Sequence, residues 1–203
     1  AFLEAHEARS APILAYKFPG ATCISINDEA AHGIPGERVI QPGDLVNVDV
    51  SAEKDGYWAD TGMSVAVPPA SDEKRRLVEA ARQALDIAIE HARAGRPIYE
   101  IGQAVEAHAN QHGFQVIREL GGHGVGRHIH EKPSIPHYFN RHARQPLVEG
   151  QVITLEPFLT TGARHIKTMP DKWTLKTRDG SLAAQFEHTV IITKDRPLLV
   201  TQV

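Results

Sequence analysis

Strict alternation of apolar and polar positions predicts a strand early in the chain. Within residues 44–51, valines occupy one face and polar side chains the other. An Asp55-Gly56 turn leads into a second predicted strand, Tyr57 to Val67, which contains Asp60. Because successive strand residues point to opposite faces, we expect the valines to face a core and the polar residues a cavity. The two sets are Val46, Val48 and Val50 against Asn47, Asp49 and Ser51.

Helical periodicity replaces alternation in the middle of the chain. Ser71 is predicted to cap a first helix that Gly95 ends, and a second helix is predicted from about Tyr99 to His112. Strands before and after two helices indicate an α+β fold. The other predicted segments are the end of a helix over residues 1–10, a loop with Pro12 and Phe18-Pro19-Gly20, a strand Ala21 to Asn27, a loop His32 to Gly36, a proline-rich loop Ser134 to Pro146, and a final hairpin Trp173 to Thr193.

A weak internal repeat indicates two similar halves. The segments 43–50 and 150–157 share a pattern in which an acid, Asp49 or Glu156, follows a glycine at the same offset. Each is followed by an Asp-Gly turn and then by a strand that carries a second acid, Asp60 or Glu187. We therefore predict two hairpin-like units that each present two carboxylates.

Composition and charge narrow the class of protein. A chain of 203 residues with 41% apolar and 23% charged residues fits one globular domain. A net charge of −3 gives no electrostatic reason to expect nucleic acid or a membrane as partner. The single cysteine, Cys23, excludes an internal disulfide, and no signal pattern or long apolar run is present. We expect a cytoplasmic protein.

The four acids are costly unless they bind cations. Glu187 lies in the strand-like segment Ser181 to Thr193, where a buried carboxylate must be paired or hold a metal. Four carboxylates in one cavity could not all stay ionised without cations, and two divalent ions would neutralise them. His123, in the glycine-rich segment 121–126, is a fifth candidate ligand. Oxygen ligands with one imidazole favour Mn, Fe(II) or Co(II), with Zn as a further candidate.

Each of these residues has a plainer interpretation when it is taken alone. A single strand acid is most often a solvated edge charge, and a single histidine is most often a surface or hydrogen-bonded residue. Only the joint arrangement of four acids and one histidine favours a metal centre.

Motifs along nearly the whole chain resemble one family. They are Phe18-Pro-Gly-Ala-Thr-Cys-Ile-Ser-Ile-Asn27, Ala31-His-Gly-Ile-Pro35, Asn47-Val-Asp-Val50, Ala59-Asp-Thr61, Gly122-His-Gly-Val-Gly-Arg-His-Ile-His-Glu-Lys-Pro133, Thr154-Leu-Glu-Pro157 and Gln185-Phe-Glu-His-Thr189. These blocks are similar to those of the type I methionine aminopeptidases in metallopeptidase family M24. The resemblance implies the pita-bread (creatinase/aminopeptidase) fold, with two pseudo-symmetric halves, a curved antiparallel sheet and flanking helices.

The resemblance also implies roles for individual residues. Two divalent ions would be held by Asp49, Asp60, His123, Glu156 and Glu187, with Asp60 and Glu187 bridging them. Glu156 would relay the proton of the attacking water, while His130 and His32 would contact the substrate beside the scissile amide. The methionine side chain would lie among Phe18, Cys23, Ile129 and Trp173, with His32 at the edge. Phe18, Cys23 and Trp173 could equally be core residues. A monovalent cation near the carbonyls of Asn27 and Ala183 is also implied.

The expected function is removal of the initiator methionine from nascent chains whose second residue is small. The expected partners are such N-termini and the ribosome, and the expected state is a monomer. The domain is expected to be 1–203, without the further N-terminal helix of type I relatives, and with Ala31 where many relatives have cysteine. One alternative is an X-Pro aminopeptidase or a prolidase, but those enzymes usually end with an Arg-x-Glu-Asp pattern where this chain has Gln185-Phe-Glu-His-Thr189. The other alternative is a pita-bread binding module that has lost catalysis.

Overall fold

The computed structural model describes residues 2–202, which form short strands around two long helices. The helices are α1 (Phe2–Ala5), α2 (Ala11–Tyr16), α3 (Asp72–His91) and α4 (Tyr99–Gln111). The strands are β1 (Arg9–Ser10), β2 (Cys23–Ile26), β3 (Glu29–Ala31), β4 (Leu45–Lys54), β5 (Tyr57–Ala66), β6 (Gln115–Val116), β7 (Gly121–Gly124), β8 (Glu131–Pro136), β9 (Val152–Leu155), β10 (Phe158–Thr160), β11 (Ile166–Thr168), β12 (Leu175–Thr177), β13 (Ala183–Gln185), β14 (Glu187–Ile191) and β15 (Leu198–Leu199).

One antiparallel sheet carries the predicted ligands. Its strand order is β1-β4-β5-β14-β9-β7-β8, with β2 beside β4 and β15 beside β14. Two smaller sheets, β13-β10-β6 and β11-β12-β3, lie alongside it. This mixture of antiparallel sheet and helices confirms the α+β prediction.

The two halves of the predicted repeat meet at the centre of the main sheet. Strands β4 and β5 form the predicted hairpin, and β9 pairs with β14. The inner strands β5 and β14 then pair with each other, with Glu187 opposite Gly62 and His188 opposite Thr61. Asp60 and Glu187, one from each half, therefore lie on neighbouring strands.

Helices α3 and α4 share a hydrophobic core with strand β9 of the main sheet. Ile101 and Val105 on α4 and Leu77 on α3 are fully buried in one core with Ile153 and Leu155 of β9. The predicted cap of α3 is present, since Ser71 Oγ accepts a hydrogen bond from the backbone nitrogen of Lys74 at 3.3 Å. Both helices thus agree with their predicted positions.

The valine face of β4 differs from the prediction. Val46 is buried, but Val48 is 37% exposed. Met63, which lies opposite Val48 on β5, is 52% exposed. Asn47 and Ser51, on the polar face, are buried instead. The polar face is buried because Asn47 bonds to Gln185 and Ser51 lines the cavity, which leaves the opposite, valine face partly exposed. The expectation that all three valines point into a core was wrong.

Three segment predictions were also wrong. Pro12 lies in the first turn of α2, where its missing N–H removes no helical hydrogen bond, and Arg9–Ser10 pairs with β4 instead of continuing a helix. Ser134 and Pro136 belong to strand β8. The segment 173–193 is not a hairpin, because β13 and β14 are separated at Phe186 and lie in different sheets.

Within residues 2–202, no helix combines the length and the apolar character that crossing a membrane requires.

Candidate metal centre and its cavity

The structure brings the five predicted ligands together on one face of the main sheet. Asp49 and Asp60 come from the β4–β5 hairpin, and His123 comes from β7. Glu156 directly follows β9, and Glu187 begins β14. Four neighbouring segments of one sheet therefore supply all five side chains.

The ligand atoms of these side chains lie close to one another. Asp60, His123 and Glu187 each offer one atom, and these atoms all lie within 4.8 Å of one another. His123 Nε2 also lies 3.3 Å from Glu156 Oε1. Asp49 lines the same cavity as Asp60, His123 and Glu156.

The acids are held in a setting that disfavours four negative charges. Burial raises the pKa of Asp49 to about 6. Burial and then the neighbouring carboxylate charges raise the pKa values of Asp60, Glu156 and Glu187 well above their ordinary range. A cation in the cluster would reverse this effect, because it favours the ionised forms.

The histidine is prepared to act as a neutral ligand. His123 Nδ1 lies 2.9 Å from the carbonyl oxygen of Gly124, which can only accept, so Nδ1 carries the proton. Burial lowers the pKa of His123 to about 4, which keeps the ring neutral. The lone pair is therefore on Nε2, which points toward the acid cluster and is available to bind a metal ion.

Unpartnered oxygens provide a direct test of whether a metal fits. Asp60 Oδ1 and Glu187 Oε1 are buried and accept no hydrogen bond from any of residues 2–202. A buried carboxylate oxygen without a partner is costly, and a bound cation removes the cost. Four carboxylates and one imidazole lone pair form a donor set that suits divalent ions. The residues present thus fit a divalent metal centre.

The predicted substrate residues line the same cavity, whose volume is about 400 Å³. Phe18 and Trp173 meet edge to face, with ring centroids 5.3 Å apart. Cys23 and Ile129 are buried on its walls, and burial raises the pKa of the Cys23 thiol, which keeps it protonated. The apolar and acidic walls of the cavity adjoin each other, since Cys23 is paired with Asp49 across β2 and β4.

His32 and His130 also lie on this cavity. His32 adopts a left-handed backbone conformation with φ of 55°, which is uncommon outside glycine and typical of functional sites. His130, at the exposed rim, stacks at a tilt on His123 with ring centroids 4.2 Å apart. Desolvation lowers the pKa values of both His32 and His130, so both rings are neutral near pH 7.

Sequence reasoning missed four residues that support the site. Tyr16 Oη lies 2.5 Å from His130 Nδ1, and nothing in the sequence connects residues so far apart. His137 is fully buried, and its Nε2 accepts a hydrogen bond from the backbone nitrogen of Glu156 at 3.3 Å. Thr154 and Gln185 each donate to a glutamate two residues later. For these last two, the spacing within a strand was a usable signal.

The monovalent-cation site stays a prediction. The structure places its two segments side by side, since the backbone nitrogen of Ala183 donates to the Asn27 carbonyl oxygen at 3.0 Å.

Comparisons with known proteins agree with this geometry. The model of metallopeptidase family M24 matches residues 1–194. The methionine aminopeptidase of Staphylococcus epidermidis is 48% identical over 202 residues, and the match covers 98% of this chain and 80% of that protein.

Solved structures show the same likeness. The crystal structure of methionine aminopeptidase from Rickettsia prowazekii matches with a TM-score of 0.94 at 39% identity, covering 99% of this chain and 82% of that one. The prolidase from Pyrococcus furiosus matches with a TM-score of 0.72 at 26% identity, covering 90% of this chain and 49% of that one. The fold is thus common to both proteins, and the likeness is greater to the aminopeptidase.

Proposed function

We infer that this chain, which belongs to metallopeptidase family M24, is a metal-dependent aminopeptidase that removes N-terminal methionine from peptides. The observation that carries this function is the cavity itself, where an apolar slot adjoins the buried Asp60–His123–Glu187 cluster. Such a cavity can bind one apolar side chain beside a centre for hydrolysis.

We propose that two divalent ions, Mn, Co, Fe(II) or Zn, are held by Asp49, Asp60, His123, Glu156 and Glu187. Bound there, they would supply Lewis-acid activation of a water molecule and of the scissile carbonyl. The unpartnered oxygens of Asp60 and Glu187 support this ligand set, as does the free lone pair of His123.

Glu156 is proposed to move the proton. Thr154 Oγ1 donates to Glu156 Oε1 at 2.8 Å and so fixes the plane of the carboxyl group within the cavity. Its buried carboxyl group lies within the cluster, 3.3 Å from His123 Nε2, where it can take a proton and return it. Glu156 would accept a proton from water and deliver it to the leaving amine.

His32 and His130 are proposed to hold the scissile amide. Tyr16 lies within hydrogen-bond distance of His130 Nδ1, which leaves His130 Nε2 for the substrate. As neutral rings, both histidines can donate to a developing oxyanion without repelling the peptide's positively charged N-terminus.

The apolar slot is proposed to select methionine. Phe18, Trp173, Cys23 and Ile129 offer aromatic edges, a thiol and an aliphatic wall. A flexible, polarisable thioether packs well against such surfaces. The second residue of the substrate is proposed to be small.

The cellular setting is part of the same proposal. Nascent chains that begin with methionine would be the natural substrates, met at the ribosome, and the protein would act in the cytoplasm as a monomer.

The decisive experiment compares Met-Ala-Ser with Ala-Pro peptides after metal-free protein is loaded with Mn²⁺, Co²⁺ or Fe²⁺. We expect free methionine from the first peptide and little turnover of the second. Preferential cleavage of the Ala-Pro peptide would support a prolidase-like enzyme instead. No turnover of either peptide with any metal would support a binding module.

A further inference from the structure

Gln185 connects the ligand cluster to a buried polar network. Its Nε2 donates to Glu187 Oε2 at 2.9 Å, whereas Glu187 Oε1 accepts no hydrogen bond within the described part of the chain. Both side chains are buried, at 0% and 2% exposure. One glutamate oxygen is thus occupied by the protein, and the other is free within the cluster.

Asn47 determines which way the Gln185 amide points. Asn47 Nδ2 lies 3.3 Å from the backbone carbonyl oxygen of Gln185, a group that only accepts, so this atom is the nitrogen. The same nitrogen donates to Gln185 Oε1 at 2.8 Å. Because the Gln185 oxygen must face Asn47, its NH₂ group must face Glu187.

Ser64 holds the backbone of Gln185 in place. Its hydroxyl accepts a hydrogen bond from the Gln185 backbone nitrogen and donates one to the Gln185 carbonyl oxygen, each at 2.9 Å. Asn47 Nδ2 donates to the same hydroxyl at 3.2 Å. Ser64 thus fixes the Gln185 backbone, and Asn47, itself bonded to Ser64, fixes the amide.

Gly62 makes room for this amide. A Cβ atom added at Gly62 would lie 2.4 Å from Gln185 Oε1 and 2.8 Å from Nε2, too close for any real contact. Gly62 is the residue paired with Glu187 across β5 and β14. A methyl group here would displace the end of a flexible side chain while leaving the backbone in place.

We propose that Gln185 is a positioning residue, oriented by Asn47 and accommodated by Gly62, which fixes Glu187 so that Oε1 faces the metal. This inference rests on the proposed function. A donor that orients a ligating carboxylate is commonly worth about 10- to 100-fold in metal affinity. Among the proposed ligands, Gln185 donates a hydrogen bond to Glu187, and Asn47 contacts this ligand through the Gln185 amide.

The test measures Mn²⁺ binding by calorimetry and by the electron paramagnetic resonance signal of a coupled Mn pair. Gln185→Met removes the donor, and Gly62→Ala displaces it through one added methyl group. We expect each change to weaken the Mn²⁺ affinity about 10- to 100-fold and to reduce the coupled signal. Asn47→Leu alone should weaken Mn²⁺ binding. Added to Gln185→Met, it should cause no further loss of Mn²⁺ affinity, because Asn47 affects Glu187 through Gln185; we call this dependence the relay.

The matched control is Gln151→Met, where the half-buried glutamine only accepts from the backbone nitrogen of Val148 at 3.2 Å. Wild-type affinity in Gln185→Met or Gly62→Ala would overturn the positioning role, and additive losses would overturn the relay. If Gln185→Met does not fold, the Mn²⁺ affinity of Gly62→Ala tests the positioning role. Failure of the wild-type protein to bind Mn²⁺ or to cleave Met-Ala-Ser would instead contradict the proposed function, so the two failures are distinguishable.

Discussion

The hydroxyl of Thr189 accepts a hydrogen bond from the backbone nitrogen of Asp60 and donates one to the Asp60 carbonyl oxygen, both at 2.8 Å. Thr189 is on β14, two residues after Glu187, and Asp60 is on β5. This reciprocal pair joins the two halves of the sheet at the position where each contributes an acid. The hydroxyl of Thr61 adds a third bond, to the Glu187 carbonyl oxygen at 3.0 Å.

Thr189→Val should therefore destabilise the fold. The change preserves shape but leaves the buried N–H and carbonyl of Asp60 without the hydroxyl, at a cost of about 2–3 kcal/mol. Chemical denaturation measures the difference in the free energy of unfolding. Thr189→Ser keeps the hydroxyl and serves as the control. Equal stability of the valine and serine variants would show that the reciprocal bonds contribute nothing.

Glu187→Gln should separate metal binding from stability. The change keeps the size of the side chain and an acceptor for Gln185, but it removes one charge from a crowded acidic cluster. We expect loss of one Mn²⁺ per chain and of peptidase activity, with a metal-free melting temperature equal to or above that of the wild type. Glu149→Gln, at an exposed residue 3.7 Å from Lys194, is the matched control. Two bound ions in Glu187→Gln would refute the ligand assignment.

Mn²⁺ affinity should rise with pH. Burial raises the pKa of Asp49 to about 6 and raises the pKa values of Asp60 and Glu187 well above their ordinary range, so the metal-free protein holds protons that the metal must displace. Each displaced proton contributes about a tenfold gain in affinity per pH unit below the pKa of its group. His123 has no proton for the metal to displace above pH 5, because its pKa of about 4 leaves the ring already neutral. Calorimetry at pH 5.5, 6.5 and 7.5 in two buffers gives both affinity and proton release. An affinity independent of pH would contradict this prediction.

The same pKa shifts have a consequence for stability without metal. A carboxyl group whose folded-state pKa is raised stabilises the fold at low pH and loses that contribution as the pH rises through the folded value. For Asp49 the loss runs from its usual value of 3.8 to about 6. His123 and His137, whose pKa values fall to about 4 and about 3, act in the opposite direction below pH 6.5. Thermal melts should therefore show that added Mn²⁺ stabilises the fold more at pH 7.5 than at pH 5.5. Equal stabilisation would contradict the shifts.

Trp173→Ala should weaken selection of methionine more than the chemical step. The edge-to-face contact with Phe18 closes one side of the slot, and its loss is worth about 1 kcal/mol beyond the area exposed. We expect KM for Met-Ala-Ser to rise several-fold with a smaller change in kcat. Phe139→Ala, at an exposed aromatic residue outside the cavity, should leave both constants unchanged.

Much of this arrangement could be predicted from the sequence, because period-two alternation and helical spacing are local signals. They placed β4, β5, α3 and α4, and the repeat placed Asp60 and Glu187 in equivalent positions. The strand break at Phe186 could not be predicted in this way. Residues 181–193 look like one strand, and only the pairing partners, β10 on one side and β5 with β9 on the other, divide them.

The supporting contacts depend even more on tertiary structure. Burial of Asn47 instead of Val48 follows from which side of the sheet curves around the cavity. Contacts between Tyr16 and His130, or between His137 and Glu156, join residues whose proximity no local pattern encodes. Gly62 lacks a side chain because Gln185 occupies that space, which is visible only once β5 and β14 are paired.

The most direct measurement of the central claim is release of free methionine by the Mn²⁺-loaded protein from Met-Ala-Ser and from the same peptide with an acetylated N-terminus. We predict steady release from the free peptide, none from the acetylated peptide, and loss of activity after chelation that added Mn²⁺ restores. Cleavage of the acetylated peptide, or no release of methionine from the free one, would contradict a metal-dependent methionyl aminopeptidase.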